Sequence, residues 1–536
     1  MEEKKVFVRQ VSGLVRELSL VDACIYGIFA TGVFFTLEYF WPFGVGVFQG
    51  TSMPLIGLFG LITGLVTSLV YAILGSAMPR SGGDYIYQSR ILRAPWLGFA
   101  IGFGWFSLTW IATGVFGGMV VSKWLLTLFN FLGHFYNNPA LIEMSAWWYT
   151  PTGMFVINLI LASLAAICTI SMKWYRKVQM YILFPMLLIT TVTFLGILLT
   201  ATPSSFIENF NFWMKKFTGD ANYYNTMIQV ASQNAYTPPT SINLYNTSLA
   251  YVLPGVYLAY TVFAGQGLLG EVKGARSFSR LFMAFFVGVL FTSGLVFSII
   301  PWLMQNVFGW DFLNIFATNY YAGLVNLPFE LSYFTLMMCL TTNPLIMVFM
   351  GLASLAGAFY MMACCYLNAS RIWLAQSLDG ILPEWFVKVT KKLHAPINAL
   401  AAEWVIVFIW ILLFSFWPAF YSVVFAGFPF VWWAGMIPTG IAAIVFPWTM
   451  KKVYESSPAS RYHPLTVVAG ILFVIIYSCA AWQIWFNPLL GAADFLPRFT
   501  VSVLFFGSLV WFFLYRAYKK SKGINVDLAY KEIPPE

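Results

Sequence analysis

Twelve apolar stretches recur along the chain with short charged loops between them, and most reach the roughly 20 residues needed to cross a hydrocarbon core of about 30 Å. They lie at 20–39, 54–77, 96–122, 152–171, 180–202, 249–269, 281–308, 344–369, 399–417, 420–447, 465–486 and 499–516. In lipid every backbone polar group needs a partner inside the protein, and a helix supplies one within a single segment. An all-α polytopic membrane protein with twelve transmembrane helices is therefore expected. Composition agrees: 60% of residues are hydrophobic and 9% charged, against about 25% charged in soluble domains. That excludes a soluble enzyme.

The basic residues give the sidedness. With a cytoplasmic N-terminus, all but four of the 29 Lys and Arg fall on the inner side, including Lys4, Lys5 and Arg9; Lys123, Lys215, Lys216 and Arg498 are outside. This is the bias that orients membrane helices, kept up loop by loop. The net charge of +9 thus reads as topology, and no nucleic-acid partner is expected. The chain divides into a cytoplasmic N-terminal segment (1–19), a first set of five helices (20–202), an extracellular loop (203–248), a second set of five (249–447), helices eleven and twelve (448–516) and a cytoplasmic tail (517–536). The first apolar run lacks a small-residue cleavage site and is expected to stay as the first helix. The expected location is the plasma membrane, multi-pass, with both termini cytoplasmic.

The six cysteines lie in or near apolar spans, and the three histidines stand far apart in loops. No metal site, catalytic residue or cofactor is expected, and no paired carboxylates or Ser-His-Asp arrangement suggests an enzyme. The loop 203–248 is long, polar and rich in Asn and Tyr, so it is expected to cap the outer face, where a protein partner would bind. Asn246-Thr247-Ser248 is a glycosylation acceptor pattern on that side.

Two helices carry residues that suit interruption. The first reads Tyr26-Gly27-Ile28-Phe29-Ala30-Thr31-Gly32-Val33-Phe34; the sixth contains Tyr260-Thr261-Val262-Phe263-Ala264-Gly265-Gln266-Gly267. Close helix packing through small residues is the alternative reading of each run. Their five-helix separation suits a five-plus-five inverted repeat with a substrate site at mid-membrane. If the helices unwind, the amides of Ala30, Thr31 and Gly32 would face an anionic group such as a carboxylate, and carbonyls from Tyr260 to Ala264 would accept from an ammonium. Neither run contains an acid or a base, which suits a zwitterion with an uncharged side chain.

Read with the inner loops, these runs resemble the amino acid, polyamine and organocation transporter superfamily. Pro79-Arg80-Ser81-Gly82-Gly83-Asp84-Tyr85-Ile86-Tyr87 is similar to that family's Pro-x-x-Gly-Gly-x-Tyr-x-Tyr. Gly270-Glu271-Val272-Lys273-Gly274-Ala275-Arg276 resembles its Glu-x-Lys-Asn-Pro-x-Arg, with Gly274 and Ala275 in place of Asn-Pro. Ser370-Arg371 followed by Asp379-Gly380-Ile381-Leu382-Pro383 resembles a third loop, which Ala395-Pro396-Ile397-Asn398-Ala399 continues. The resemblance covers roughly residues 12 to 520. It implies a permease whose substrate lies between broken helices one and six, with Tyr260 or Phe263 as an aromatic lid. Helices three and eight would complete the wall, with Trp110 and Ser354 as the residues near mid-span.

The resemblance also bears on gating and coupling. Arg80, Lys273 and Arg371 would pair with Asp84, Glu271 and Asp379 as an inner gate, or else anchor the loops to headgroups. Some relatives that use protons carry a lysine inside the fifth helix; here Phe184-Pro185-Met186 occupies that stretch. Three coupling options follow: sodium ligated by Ser354, a proton on an acid such as Asp22 or Glu403, or uncoupled exchange. The expected substrate is an amino acid, carried within the lipid bilayer by alternating access. A receptor or assembly subunit that kept the fold without transport is the rival, favoured by the outer loop.

Overall fold

The structure, a computed structural model, describes residues 12–533; the inner-side assignments of Lys4, Lys5 and Arg9 lie outside the described residues. Among those described, twelve helices are long and apolar enough to cross a membrane, and each overlaps one apolar stretch of the sequence. No strand forms among the described residues; two isolated backbone bridges there, Leu18 to Val272 and Ser81 to Leu268, tie inner loops together. The first span (Leu20–Val47) and the sixth (Leu244–Gly267) are the most enclosed, with 83% and 94% of their apolar windows buried, against 17% for the twelfth (Phe495–Ser521). Apolar side chains that remain exposed, such as Phe495, Phe499 and Phe506, sit on such peripheral helices, where lipid solvates them.

The first span is two helices. Leu20–Ala30 starts at a capping box in which Ser19 and Asp22 exchange hydrogen bonds, and Phe34–Val47 continues it. Between them Gly32 has φ +70° and Val33 φ +46°, so the right-handed helix cannot pass through. A Cβ on Gly32 would overlap the Phe35 ring, so only glycine fits. The sixth span behaves differently: an α-helix to Leu258 tightens into a 3-10 turn at Ala259–Val262 and resumes at Phe263–Gly267.

The outer face is more structured than a loop. Thr202 caps a helix at Pro203–Thr218, stopped by Gly219 at φ +83°, and Tyr223–Gln233 follows. The first buries Phe206, Phe210 and Trp213, with ring contacts to Phe308 (4.6 Å), Phe312 (5.4 Å) and Phe131 (4.7 Å), and the second buries Tyr223 and Met227. Two further outer helices, Trp310–Tyr321 and Tyr333–Met338, lie between the seventh span (Phe278–Phe308) and the eighth (Pro344–Leu378).

Candidate functional site: the junction of the broken helices

The interruptions of spans one and six touch. Gly27 packs so closely on the Thr261 carbonyl that a Cβ there would overlap it, and a Cβ on Gly357 of the eighth span would come within 2.6 Å of the Gly32 carbonyl oxygen. Glycines at these contacts let three backbones converge on one point, the close packing that membrane helices obtain from small residues.

The amides expected to bind an anion are not the ones left available. Thr31 N–H donates to the Ile28 carbonyl (3.3 Å), Gly32 N–H to Phe29 (2.9 Å) and Val33 N–H to the Thr31 hydroxyl (3.2 Å), while Ala30 ends the inner half-helix. The first turn of Phe34–Val47 opens with no side-chain cap, and the amides of Phe34 and Thr36 have no partner within the described chain. The donors therefore sit a few residues later than the sequence suggests. In the sixth span the 3-10 turn keeps the backbone bonded, and the Phe263 carbonyl accepts from Asn368 (2.8 Å). The small residues there serve contact: a Cβ on Gly265 would meet Tyr71 at 2.8 Å, and one on Gly267 would meet Asn368. Ala264 lies in the same buried turn, and the Thr261 hydroxyl is buried without a hydrogen-bond partner.

Aromatic rings enclose the junction. Trp110 stands edge-on to Phe263 at 4.8 Å, Tyr260 contacts Phe263 at 5.0 Å, and Tyr26 stacks on Phe263 at 6.0 Å. Trp432 of the tenth span (Phe420–Thr449) meets Tyr260 at 4.0 Å, and Tyr360 meets Phe29 at 4.5 Å. Trp110, Tyr260 and Phe263 were expected here. Tyr26, Tyr360 and Trp432 were not; Trp432 sits in a uniformly apolar run that offers no signal. The side chains in this ring wall carry no formal charge.

Ser354 does not face the junction. Its hydroxyl donates to Glu38 Oε1 (2.7 Å), joining the outer half of span one to span eight. Gln179 was also missed: its amide nitrogen donates to the Asp22 carbonyl (2.9 Å), and its amide oxygen accepts from the Tyr360 hydroxyl.

On the inner side the expected gate residues converge with altered pairing. Arg371 binds Glu271 in a two-point contact, Nε to Oε1 at 2.8 Å and Nη2 to Oε2 at 3.2 Å, both side chains buried. Asp379 pairs with Arg90 (2.6 Å), which was not foreseen, and accepts from the Tyr85 hydroxyl (2.6 Å). Asp84 binds no base: it accepts from Tyr71 (2.6 Å), Thr439 (2.6 Å) and the Gln266 amide (3.0 Å). Burial pushes its carboxyl up to about 6, with those three donors opposing the rise. Lys273 holds the loop through its backbone, donating to the Leu18 carbonyl (2.8 Å) with its side chain exposed, and Arg80 lies half-buried at the same surface. Asp22 pairs with Arg176 (2.8 Å). Both carboxyl oxygens of Glu403 are buried without a hydrogen-bond partner among the described residues. Asn246 lies in the first turn of a helix with its side-chain amide, the group that glycosylation would modify, donating to the Gln49 carbonyl (2.8 Å).

A family model described as amino acid permease matches residues 18–509, nearly the whole helical body. Comparison with curated proteins gives no match.

Proposed function

The chain belongs to the amino acid permease family, transporters of amino acids or related organic cations, and from that premise we propose that it carries neutral amino acids across the plasma membrane by alternating access, with both termini cytoplasmic. The observation that carries the reading is the uncharged junction of spans one and six. A carboxylate is matched there by the first-turn amides of Phe34 and Thr36 and the positive end of their helix, and an aliphatic or aromatic side chain by the rings of Trp110, Tyr260 and Phe263. A cationic side chain would find no countercharge at the junction itself. An inverted repeat relating the two five-helix sets explains why the interruptions fall in spans one and six. The paired charges of the inner face then form the gate that opens when the substrate is released inward.

For coupling, the proton is favoured over sodium. The Ser354 hydroxyl is engaged by Glu38, and Asp22 is held by Arg176 and its capping box. Of the two acids expected to carry a proton, Glu403, with no hydrogen-bond partner among the described residues, is the one that can exchange it without dismantling an ion pair.

Reconstituted protein should show saturable uptake or exchange of labelled neutral amino acids in liposomes, driven by an inward proton gradient and indifferent to sodium. Gly32→Leu, which forces a side chain into the Phe35 ring at a left-handed position, should abolish it. Absence of uptake for all twenty amino acids would overturn the transport reading. The rival receptor reading rested on the outer segment 203–248, where Phe206, Phe210, Trp213 and Met227 are buried while Phe212, Ile228, Ile242, Leu244 and Tyr245 stay exposed.

A further inference from the structure

On the outer side a cavity of about 210 Å³ is lined by Glu38, Tyr39, Lys123, Trp124, Tyr320 and Glu330 among others. Sites for drug-sized ligands run to roughly 300–1,000 Å³, so this one has the scale of a single small metabolite. It is separate from the junction of the broken helices. Tyr39 in its wall touches Phe116 at 4.4 Å, and Phe116 meets Phe35 at 6.1 Å and Tyr257 at 6.4 Å, an aromatic layer between the cavity and Gly32.

Its polar groups include both donors and acceptors. Glu38 is 4% exposed; one oxygen is taken by Ser354, and the carboxyl has no basic partner among the described residues. Lys123 holds its ammonium 3.1 Å from Glu330 and over the rings of Tyr39 (5.2 Å) and Tyr149 (5.6 Å). Trp124, 6% exposed, has an indole N–H with no acceptor in the protein. A buried donor left without an acceptor is destabilising, and a structural Lys–Glu latch accounts for neither it nor Glu38. The walls thus offer two donors for an anion and one acceptor for a cation around a single void.

We propose that this cavity is a second, outer binding site for a zwitterionic α-amino acid, which places its carboxylate on Lys123 and Trp124 and its ammonium on Glu38. The inference rests on the transport reading above for the kind of ligand. Substrate docks here first, competing with Glu330 for the Lys123 ammonium, and passes the aromatic layer to reach the junction. Glu330 is therefore a restraint on the site, and Lys123 a ligand in it.

The test uses the full-length protein in liposomes with labelled L-leucine and L-alanine. Lys123→Gln should raise KM about tenfold, the weight of one charge-assisted hydrogen bond, with kcat changed less than about twofold. Trp124→Phe should raise KM about threefold. Glu330→Gln, which frees the ammonium, should lower KM. A latch with no binding role would move Lys123→Gln and Glu330→Gln in the same direction, and that result overturns the proposal. Equilibrium dialysis should give two moles of leucine bound per mole of protein and one for Lys123→Gln. One mole in the unaltered protein overturns the outer site while leaving transport intact. Binding without uptake supports the outer site and defeats the transport reading; neither binding nor uptake defeats both.

Discussion

The two ends of the permease are closed by different materials. The inner end is held by buried charge: Arg371 on Glu271 and Arg90 on Asp379, all with side chains at most 1% exposed. The outer end is held by rings, Phe35, Phe116, Tyr39 and Tyr257, and by one pair, Lys123 with Glu330, about a quarter exposed. Charge pairs in a low dielectric are directional, and a lost partner leaves the other uncompensated. Ring contacts are individually worth about 0.5–1.5 kcal/mol and tolerate sliding. The inner closure is thus near all-or-none and the outer one gradual.

The comparison breaks most readily at the inner pair. Arg371→Ala should leave Glu271 buried and unpaired and destabilise the protein by about 3–5 kcal/mol, read as a fall in melting temperature in detergent. Replacing both partners with leucine should recover much of the loss. Asp379→Asn should be milder, about 1.5–3 kcal/mol, because Tyr85 still finds an oxygen; a thiol reagent added from the cytoplasmic side should label an engineered inner cysteine faster in this variant.

Asp84 sharpens the contrast through pH. Its folded carboxyl, raised to about 6 from an ordinary 3.8, binds a proton more tightly than the unfolded chain does, so its contribution to stability is fully present below about 3.8 and is lost as pH rises through about 6. Asp84→Asn should flatten that part of the stability profile. The substitution is sterically mild, since the Gln266 amide can turn its unpartnered oxygen toward the new amide. The smallest effect is expected outside. Burial raises the Glu330 carboxyl, yet Lys123 and Tyr320 outweigh it and hold the group below the usual glutamate range. Its contribution is present at neutral pH and fades only as pH falls through that lowered value. Lys123→Gln should change stability by less than about 1 kcal/mol, whatever it does to KM.

The helical body was legible because loop charge and span hydrophobicity are local properties. The break at Gly32 was legible only as one of two readings of its run, the other being close helix packing through small residues. The sixth span carried the same residue types and was read the same way, but Gly265 and Gly267 make room for Tyr71 and Asn368, and the backbone stays bonded. Nothing along the chain distinguishes a glycine that bends from one that admits a neighbour. Arg371 and Glu271 were found because both stand in loop motifs; Arg90 was not, since its pairing with Asp379 joins residues 289 apart. The outer helices Trp310–Tyr321 and Tyr333–Met338 escaped notice because they are too short to span and too apolar to look like a loop.

Gln179 gives the machine an electrical property. Its amide fastens the fifth span to the first through the Asp22 carbonyl and to the eighth through Tyr360, and it carries no charge into the membrane field. An elementary charge crossing that field exchanges about 2.3 kcal/mol per 100 mV, whereas a neutral amide exchanges none. This joint can therefore swing without sensing voltage, and it adds no charge of its own to any current that accompanies transport.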